Sequence, residues 1–476
     1  MGWATTWGRP YANGRCGVDM RRDFFKGKRV LVMGLGRFGG GLDSVRFAHR
    51  AGAHVVVTDT AGEEALAPVL EELAALDGVE YHPGGHREED FSTCDILITN
   101  PAVPPESEFI AITRQAGGLA TSQIEIFFQL CPSLTVGITG SNGKSTTTAL
   151  TAHLLGAGRQ RGGYGNVWLS GNIGNRPLLV DIDRMGADDV VVLELSSFQL
   201  EQLARIERAP DIAVITNLTP NHLDRHGTFK AYCDAKESIF RYQRLNETHP
   251  AVSVFNAADA ICLEWFGRYC RQAGRVCLKF HHADVGDSIA GAFTLAGKAN
   301  LSDLAAALAV ARHLGVDDAT SAGCIGDFQP LEHRLQMVAR IGDVCWYDDS
   351  IATTPVSVIA ALEAFEAPKI LIAGGYDKKL AFDELGRKIA LGAKGVVLIG
   401  ATTDKRAAAI EQGRTKKDYP VVESASSMED AVQKAAQMAD AGDVVLLSPA
   451  CASYDMFESY RQRGDIFAQC VKALET

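Results

Sequence analysis

The chain has 476 residues, 46% of them hydrophobic and 22% charged, and carries a formal net charge of −11. That length asks for about three domains of roughly 150 residues rather than one core. The acidic balance argues against a general nucleic-acid or anionic-membrane surface, and eleven scattered cysteines without a C-x-x-C pair point to a reducing cytoplasm rather than to a disulfide framework or zinc cluster.

Residues 1–19 show no periodic pattern and are expected to be a poorly ordered extension; they lack the apolar core of a signal peptide. Their match to M-G-x-x-x-[ST] is too short a pattern to carry a membrane anchor, and no apolar run approaches the ~20 residues of a membrane span. Met20 opens "MRRDFFKGKRVLVMG", a natural domain start. From there, short continuous apolar runs alternate with longer helical stretches, the pattern of parallel strands buried on both faces. Strands are expected at 29–34, 54–59 and 95–100, then at 134–140, 190–196 and 212–218, and finally at 369–375, 395–400 and 443–449. Prolines interrupt the pattern near 131–133 and 328–334, which sets domains at 20–131, 132–329 and 330–476.

The first glycine-rich turn, "GLGRFG" (34–39), follows a strand and lies 20 residues before Asp59 at the next strand end. Alone it admits a dinucleotide site, with the acid accepting from a ribose hydroxyl. The second, "GITGSNGKSTTT" (137–148), also joins a strand to a helix. Gly140 and Gly143 let the backbone approach phosphate, Lys144 suits the β and γ oxygens, Ser145 suits Mg²⁺, and the helix start favours anions. A strict G-x-x-x-x-G-K-[ST] loop needs glycine at 138, where Ile138 stands.

Glu194 ends an apolar strand, well placed for Mg²⁺ or simply for water, and His222 follows the strand "IAVITNL". In "FKAYCDAKESIFRYQ" (229–243) Phe229, Tyr232, Cys233, Ile239 and Phe240 mark one helical face, and Lys236 completes the stripe. Its stem could snorkel with the amine in water; buried, it would lose its charge and could add CO₂ to become a carbamate, in effect a metal-binding carboxylate. "EHR" (332–334), "DDSIATTP" (348–355), "GGYDKK" (374–379) and "SPACAS" (448–453) fall at strand ends and resemble the closing half of an active site.

In their order, "GITGSNGKST", "SGNIG", "ELSSFQLE", "TNLTPNHLDRHGTFKAYCDAK", "EHR", "DDSIAT", "GGYDK" and "SPACASYDMF" resemble the ATP-dependent Mur ligases of peptidoglycan synthesis, from about residue 28 to the C-terminus. The family's loop reads G-x-T-G-x-N-G-K-[ST], which accounts for Ile138. The resemblance implies an α/β fold of three domains: a Rossmann-like N-terminal domain, a central P-loop ATPase-like domain with a mostly parallel sheet, and a C-terminal Rossmann-like α/β domain. It implies that ATP phosphorylates the carboxylate of UDP-N-acetylmuramoyl-L-alanine and that D-glutamate displaces the phosphate, in a cytoplasmic monomer with no nucleic-acid or membrane partner. A Mur-type ligase using L-glutamate or another amino acid is the alternative. A binding protein that lost catalysis and an NAD-dependent oxidoreductase are the readings from other classes.

Carried over by position, Gly140, Ser141, Asn142, Gly143, Lys144, Ser145 and Thr146 would cradle ATP, with Asn300, Arg334 and Asp349 as further contacts. Two Mg²⁺ ions would be held by Ser145, Glu194, His222 and carbamylated Lys236. Gly34, Arg37, Phe38, Asp59, Thr60, Asn100, Asn172, Ser196 and Gln199 would line the UDP substrate, and Thr353, Lys378, Ser453 and Tyr460 would face the amino acid. Three positions depart from the family's habit: Ile351 for lysine, Tyr460 for phenylalanine and Asp303 for asparagine. Lys378 and Lys379 are the candidates to replace the charge absent at 351, and "FQPLEHR" (328–334) is the candidate hinge.

Overall fold

The computed structural model describes residues 20, 22–35, 40–101, 103–173, 178–329, 331–377, 381–416 and 419–475. The N-terminal extension and the site candidates Arg37, Phe38, Lys378 and Lys379 lie outside the described residues. The chain forms two compact units, Met1–Asp284 with Asp303–Ile325, and Val285–Ser302 with Gly326–Thr476. All nine strands expected from the sequence are present, and they belong to three separate sheets.

The first unit holds two sheets. One has five parallel strands, in spatial order Glu80–His82, His54–Thr58, Arg29–Met33, Ile96–Thr99 and Leu119–Ser122. The runs Val30–Met33, Val55–Thr58 and Ile96–Thr99 are buried throughout, as strands covered by helices on both faces must be. The other has six parallel strands, in order Arg275–Phe280, Ala251–Asn256, Ile212–Ile215, Leu134–Thr139, Val190–Glu194 and Val167–Gly171. Leu134–Thr139 lies between Val190–Glu194 on one side and Ile212–Ile215 on the other, where the chain changes the direction in which it adds strands, so the loop leaving it opens at a switch point, where doubly wound sheets bind ligands.

These two sheets share one apolar core, in which Val45 and Phe47 of helix Gly40–Arg50 belong with Leu178, Leu179 and Ile182. A polar clasp reinforces it. The Asp43 carboxylate, 4% exposed, accepts from the backbone N–H groups of Leu178 (2.9 Å), Leu179 (2.8 Å) and Val180 (2.8 Å), and from the Gln123 carboxamide. A buried carboxylate is tolerated only when so fully paired.

The second unit carries six strands in order Gln336–Ile341, Val344–Asp348, Val444–Leu447, Lys369–Gly374, Gly395–Ile399 and Val421–Ala425. The first pair is an antiparallel hairpin whose turn residues Gly342 and Asp343 have φ of 54° and 64°, and the other pairs are parallel, so this sheet is mixed. No helix among the described residues is long and apolar enough to cross a membrane.

Candidate active site

Strand Leu134–Thr139 runs into a loop at 140–143 and then into helix Lys144–Gly162. Both loop glycines are required. Gly140 has φ +151°, and a Cβ there would lie 1.9 Å from Thr216 Oγ1; Gly143 has φ +79°, and its Cβ would lie 2.1 Å from Asp303 Oδ1. Hydroxyls and amides from the next strand end pin the loop: Thr216 Oγ1 donates to Asn142 O (2.6 Å), Asn142 N to Asn217 Oδ1 (3.0 Å), and Ser141 Oγ to Thr219 O (2.8 Å). Lys144 Nζ folds back to donate to Ser141 O at 2.9 Å, an acceptor with which a phosphate oxygen would compete for the ammonium. Ser145 is half-buried at the helix start, and the buried Thr146 Oγ1 has no partner.

Glu194, 2% exposed, ends the neighbouring strand. Its Oε1 accepts from Asn172 Nδ2 at 3.1 Å, while Oε2 is buried with no hydrogen-bond partner. An orphaned carboxylate oxygen is costly unless a cation completes it. Lys236 does not snorkel into water: it is buried, at 1% exposure, on helix Phe229–Arg241. Nζ donates to Thr139 Oγ1 at 3.1 Å and lies 4.8 Å from the centre of the Tyr232 ring. Burial first, and then repulsion from Lys144, drive its pKa well below the usual lysine value, with Glu194 opposing. The amine is therefore pushed toward its neutral, nucleophilic form.

His222 is exposed, with φ +52°, an uncommon conformation for a residue other than glycine; its ring meets Phe198 edge-on at 5.2 Å and faces Tyr232 at 6.4 Å. Lys144, Glu194 and Lys236 thus converge electrostatically, and His222 shares the Tyr232 ring with Lys236. No group of three or more His, Cys, Asp or Glu side chains suited to a metal occurs among the described residues. Lysine is not a member of that set until it carries a carboxylate, and the unpaired Glu194 oxygen fits a divalent ion shared with one. Thr139, Tyr232, Thr216 and Asp303 carry no site role in the sequence reading, although each had a signal: Thr139 lies in the loop motif, Thr216 and Tyr232 in the motif that runs from 216 to 236, and Asp303 where the family has asparagine.

At the first sheet, Gly34 ends its strand with φ +86°. Asp59, expected to line the UDP substrate, accepts from Leu35 N (2.9 Å) and Ala61 N (2.9 Å), so its carboxylate ties the end of strand Arg29–Met33 to its own loop. Asn100 is half-buried beside Gly34, and Thr60 is exposed. Ser196 and Gln199 form a reciprocal capping box at the start of helix Ser197–Arg205, while Asn172 reaches Glu194 as above.

In the second unit, Asn300 Nδ2 donates to Ala296 O (2.7 Å), and Arg334 keeps a buried Nε without a partner. Asp349, 4% exposed, accepts from Ser448 Oγ (2.7 Å) and Leu335 N (3.3 Å). Burial raises its pKa to about 7. The folded protein thus holds a proton that the unfolded chain releases near pH 4, so stability falls as pH rises from about 4 to 7 and the full penalty stands above 7. Asp349→Asn should therefore gain on the unaltered protein across that interval and hold a constant advantage above it. Unfolding temperatures measured from pH 4.5 to 8 check this; a difference independent of pH would contradict it. Thr353 is half-buried beside the capping Thr354, Ser453 is 2% exposed, and Tyr460 opens helix Tyr460–Lys472, its carbonyl accepting from Ser350 Oγ at 2.7 Å.

A nucleotide-type loop on a parallel sheet, facing an orphaned carboxylate and a buried lysine, defines a phosphate-handling α/β enzyme. The comparisons narrow the class. Three family models match: Mur ligase MurD-like, N-terminal domain over residues 28–120, Mur ligase middle domain over 138–311, and Mur ligase, glutamate ligase domain over 333–451. The chain belongs to the Mur ligase family. It is 39% identical over 471 residues to the UDP-N-acetylmuramoylalanine--D-glutamate ligase of Roseiflexus sp. (strain RS-1), covering 94% of this chain and 99% of that protein. It is 36% identical over 467 residues to the ligase of the same name from Acetivibrio thermocellus, covering 94% and 97%. Among solved structures, the UDP-N-acetylmuramate-alanine ligase MurC of Thermotoga maritima shares the fold with a TM-score of 0.58 at 18% identity, over 94% of this chain and all of that one.

Proposed function

We propose that this chain is an ATP-dependent ligase that joins D-glutamate to UDP-N-acetylmuramoyl-L-alanine in cytoplasmic peptidoglycan synthesis. The observation that carries the chemistry is the buried Lys236 beside the orphaned Glu194 oxygen at a glycine-cradled phosphate loop. The substrates follow from the names of the relatives at 39% and 36% identity.

A carboxylate is a poor electrophile, so the alanyl carboxylate first attacks the γ-phosphorus of ATP and releases ADP. The amine of D-glutamate then attacks the acyl phosphate; the amide forms, inorganic phosphate leaves with the bonding pair, and the amine gives up a proton. The loop from Gly140 to Gly143, with Lys144 and Thr146, orients the phosphates. Ser145, Glu194, His222 and carbamylated Lys236 are the residues that would hold two Mg²⁺ ions, whose charge neutralises the gathered anions. Asn300, Arg334 and Asp349 remain the candidates for further nucleotide contacts.

The regions 20–131, 132–329 and 330–476 take the UDP substrate, ATP and the amino acid in turn. Gly34, Asp59 and Asn100, with Arg37 and Phe38, serve the first. Thr353, Ser453 and Tyr460, with Lys378, serve the last.

An assay of phosphate release with UDP-N-acetylmuramoyl-L-alanine and a panel of amino acids tests the reading. D-Glutamate should be turned over at least about 100-fold faster than L-glutamate, because only one hand places the amine on the acyl phosphate while both carboxylates reach their donors. Equal rates, or a faster diamino acid, would overturn the substrate and leave the ligase class standing.

A further inference from the structure

Two guanidiniums lie buried at the ends of strands Lys369–Gly374 and Val444–Leu447, and the chemistry above uses neither. Arg406, on helix Thr403–Gly413, is 1% exposed, and Arg463, on helix Tyr460–Lys472, is 0% exposed. Arg463 donates from Nη1 to Cys451 O (3.1 Å), from Nη2 to Ser350 O (2.8 Å) and from Nε to Ser350 Oγ (2.9 Å). Arg406 donates from Nη2 to Pro449 O (2.5 Å) and lies 3.3 Å from Cys451 Sγ. Its Nε and Nη1 are buried without any partner, and its guanidinium lies 4.6 Å from the centre of the Phe382 ring.

These partners are carbonyls, a hydroxyl, a thiol and an aromatic face; no carboxylate bonds to either arginine among the described residues. Burial lowers the affinity of both for their protons, that of Arg463 to a pKa of about 10, and the two lie close enough to repel each other. Asp455 and Asp348 favour the charge on Arg463, whereas only the Cys451 sulfur favours that on Arg406. An uncompensated buried cation is expensive, and a neutral side chain of similar volume commonly leaves a fold as stable or more so. Their place is informative. The turn they grip, Pro449–Cys451, leads directly to Ser453; Ser350 lies three residues before Thr353; and Phe382 lies four after Lys378.

We propose that Arg406, backed by Arg463, is a specificity-determining residue whose uncompensated buried charge favours an incoming amino acid with two carboxylates. It acts through its field, not by touching the ligand. The inference rests on the reading that this unit receives the amino acid. Inside protein such a charge several ångströms from a carboxylate changes affinity by about tenfold or more.

The test uses the full chain and the variants Arg406→Met, neutral and close in volume, and Arg406→Lys, which keeps the charge. Steady-state kinetics would be read with D-glutamate, together with inhibition by glutarate, a dicarboxylate, and by pentanoate, a monocarboxylate. Arg406→Met should raise the KM for D-glutamate about tenfold or more, with the KM values for ATP and the UDP substrate within about twofold of the unaltered protein. It should weaken glutarate more than pentanoate, and its unfolding temperature should not fall. Arg406→Lys should recover most of the loss. An unchanged KM for D-glutamate, equal weakening of both inhibitors, a lysine variant no better than methionine, or a methionine variant that fails to fold would each overturn the proposal. Turnover by the unaltered protein separates the two ideas: failure with D-glutamate sinks the substrate reading, and a preferred substrate with one carboxylate sinks both.

Discussion

Lys236→Ala is expected to reduce turnover by about 1,000-fold or more while leaving affinity for UDP-N-acetylmuramoyl-L-alanine within a few-fold. The magnitude follows from removing one charged ligand from a metal-dependent phosphoryl transfer, which forfeits several kcal/mol of transition-state stabilisation. The direction follows from the position of Nζ, 3.1 Å from Thr139 Oγ1 in the loop strand, rather than at the protein surface. A merely packing lysine would behave differently: its truncation would lower the unfolding temperature and spare the rate. Carbon-13 NMR of the protein in labelled bicarbonate supplies a readout independent of turnover. A carbamate resonance present in the unaltered chain and absent from the alanine variant is expected; an active variant, or no resonance in either, would refute the assignment.

Gly140→Ala should abolish detectable ATP binding, an effect of about 100-fold or more on its Kd, and lower the unfolding temperature by several degrees. Two costs coincide at this residue. A side chain at φ +151° occupies a region open essentially to glycine alone. The new Cβ would also lie 1.9 Å from Thr216 Oγ1, the hydroxyl that holds Asn142 O at 2.6 Å. The clash cannot relax without releasing that pin, so the backbone amides lose the arrangement that meets phosphate. Calorimetric titration with ATP and a thermal melt check both parts. Retained affinity would show that the loop tolerates a different backbone from the one described.

Legibility differed by the range of the interactions concerned. Parallel strands buried on both faces announce themselves as apolar runs, so Val30–Met33, Val190–Leu193 and Ile370–Ala373 could be placed from sequence. Hairpin strand Gln336–Ile341 could not: it is an edge strand with no residue fully buried, and Arg340 breaks its short apolar run. In the site, Lys236 was legible because a charge interrupts a 3.6-residue stripe. Thr216 and Asp303 were not, since their roles depend on meeting Gly140 and Gly143 across 76 and 160 positions of chain. Arg406 was hidden for a related reason: its helix is rich in alanine and charge, and only the segments folded over it from Phe382 and Pro449 make it interior.

The clasp at Asp43 bears on how the protein can be divided. A fragment cut at residue 131 would carry Asp43 away from the amides of Leu178, Leu179 and Val180, stranding a carboxylate in an environment that had been dry, and would strip Val45 and Phe47 of their apolar neighbours. Such a piece would offer sticky surface to its own copies at working concentrations, and recombinant yields of the isolated N-terminal sheet should suffer accordingly. Shuffling this region between homologues would succeed only when the 178–180 segment travels with it, which makes two stretches separated by 135 residues a single unit of inheritance.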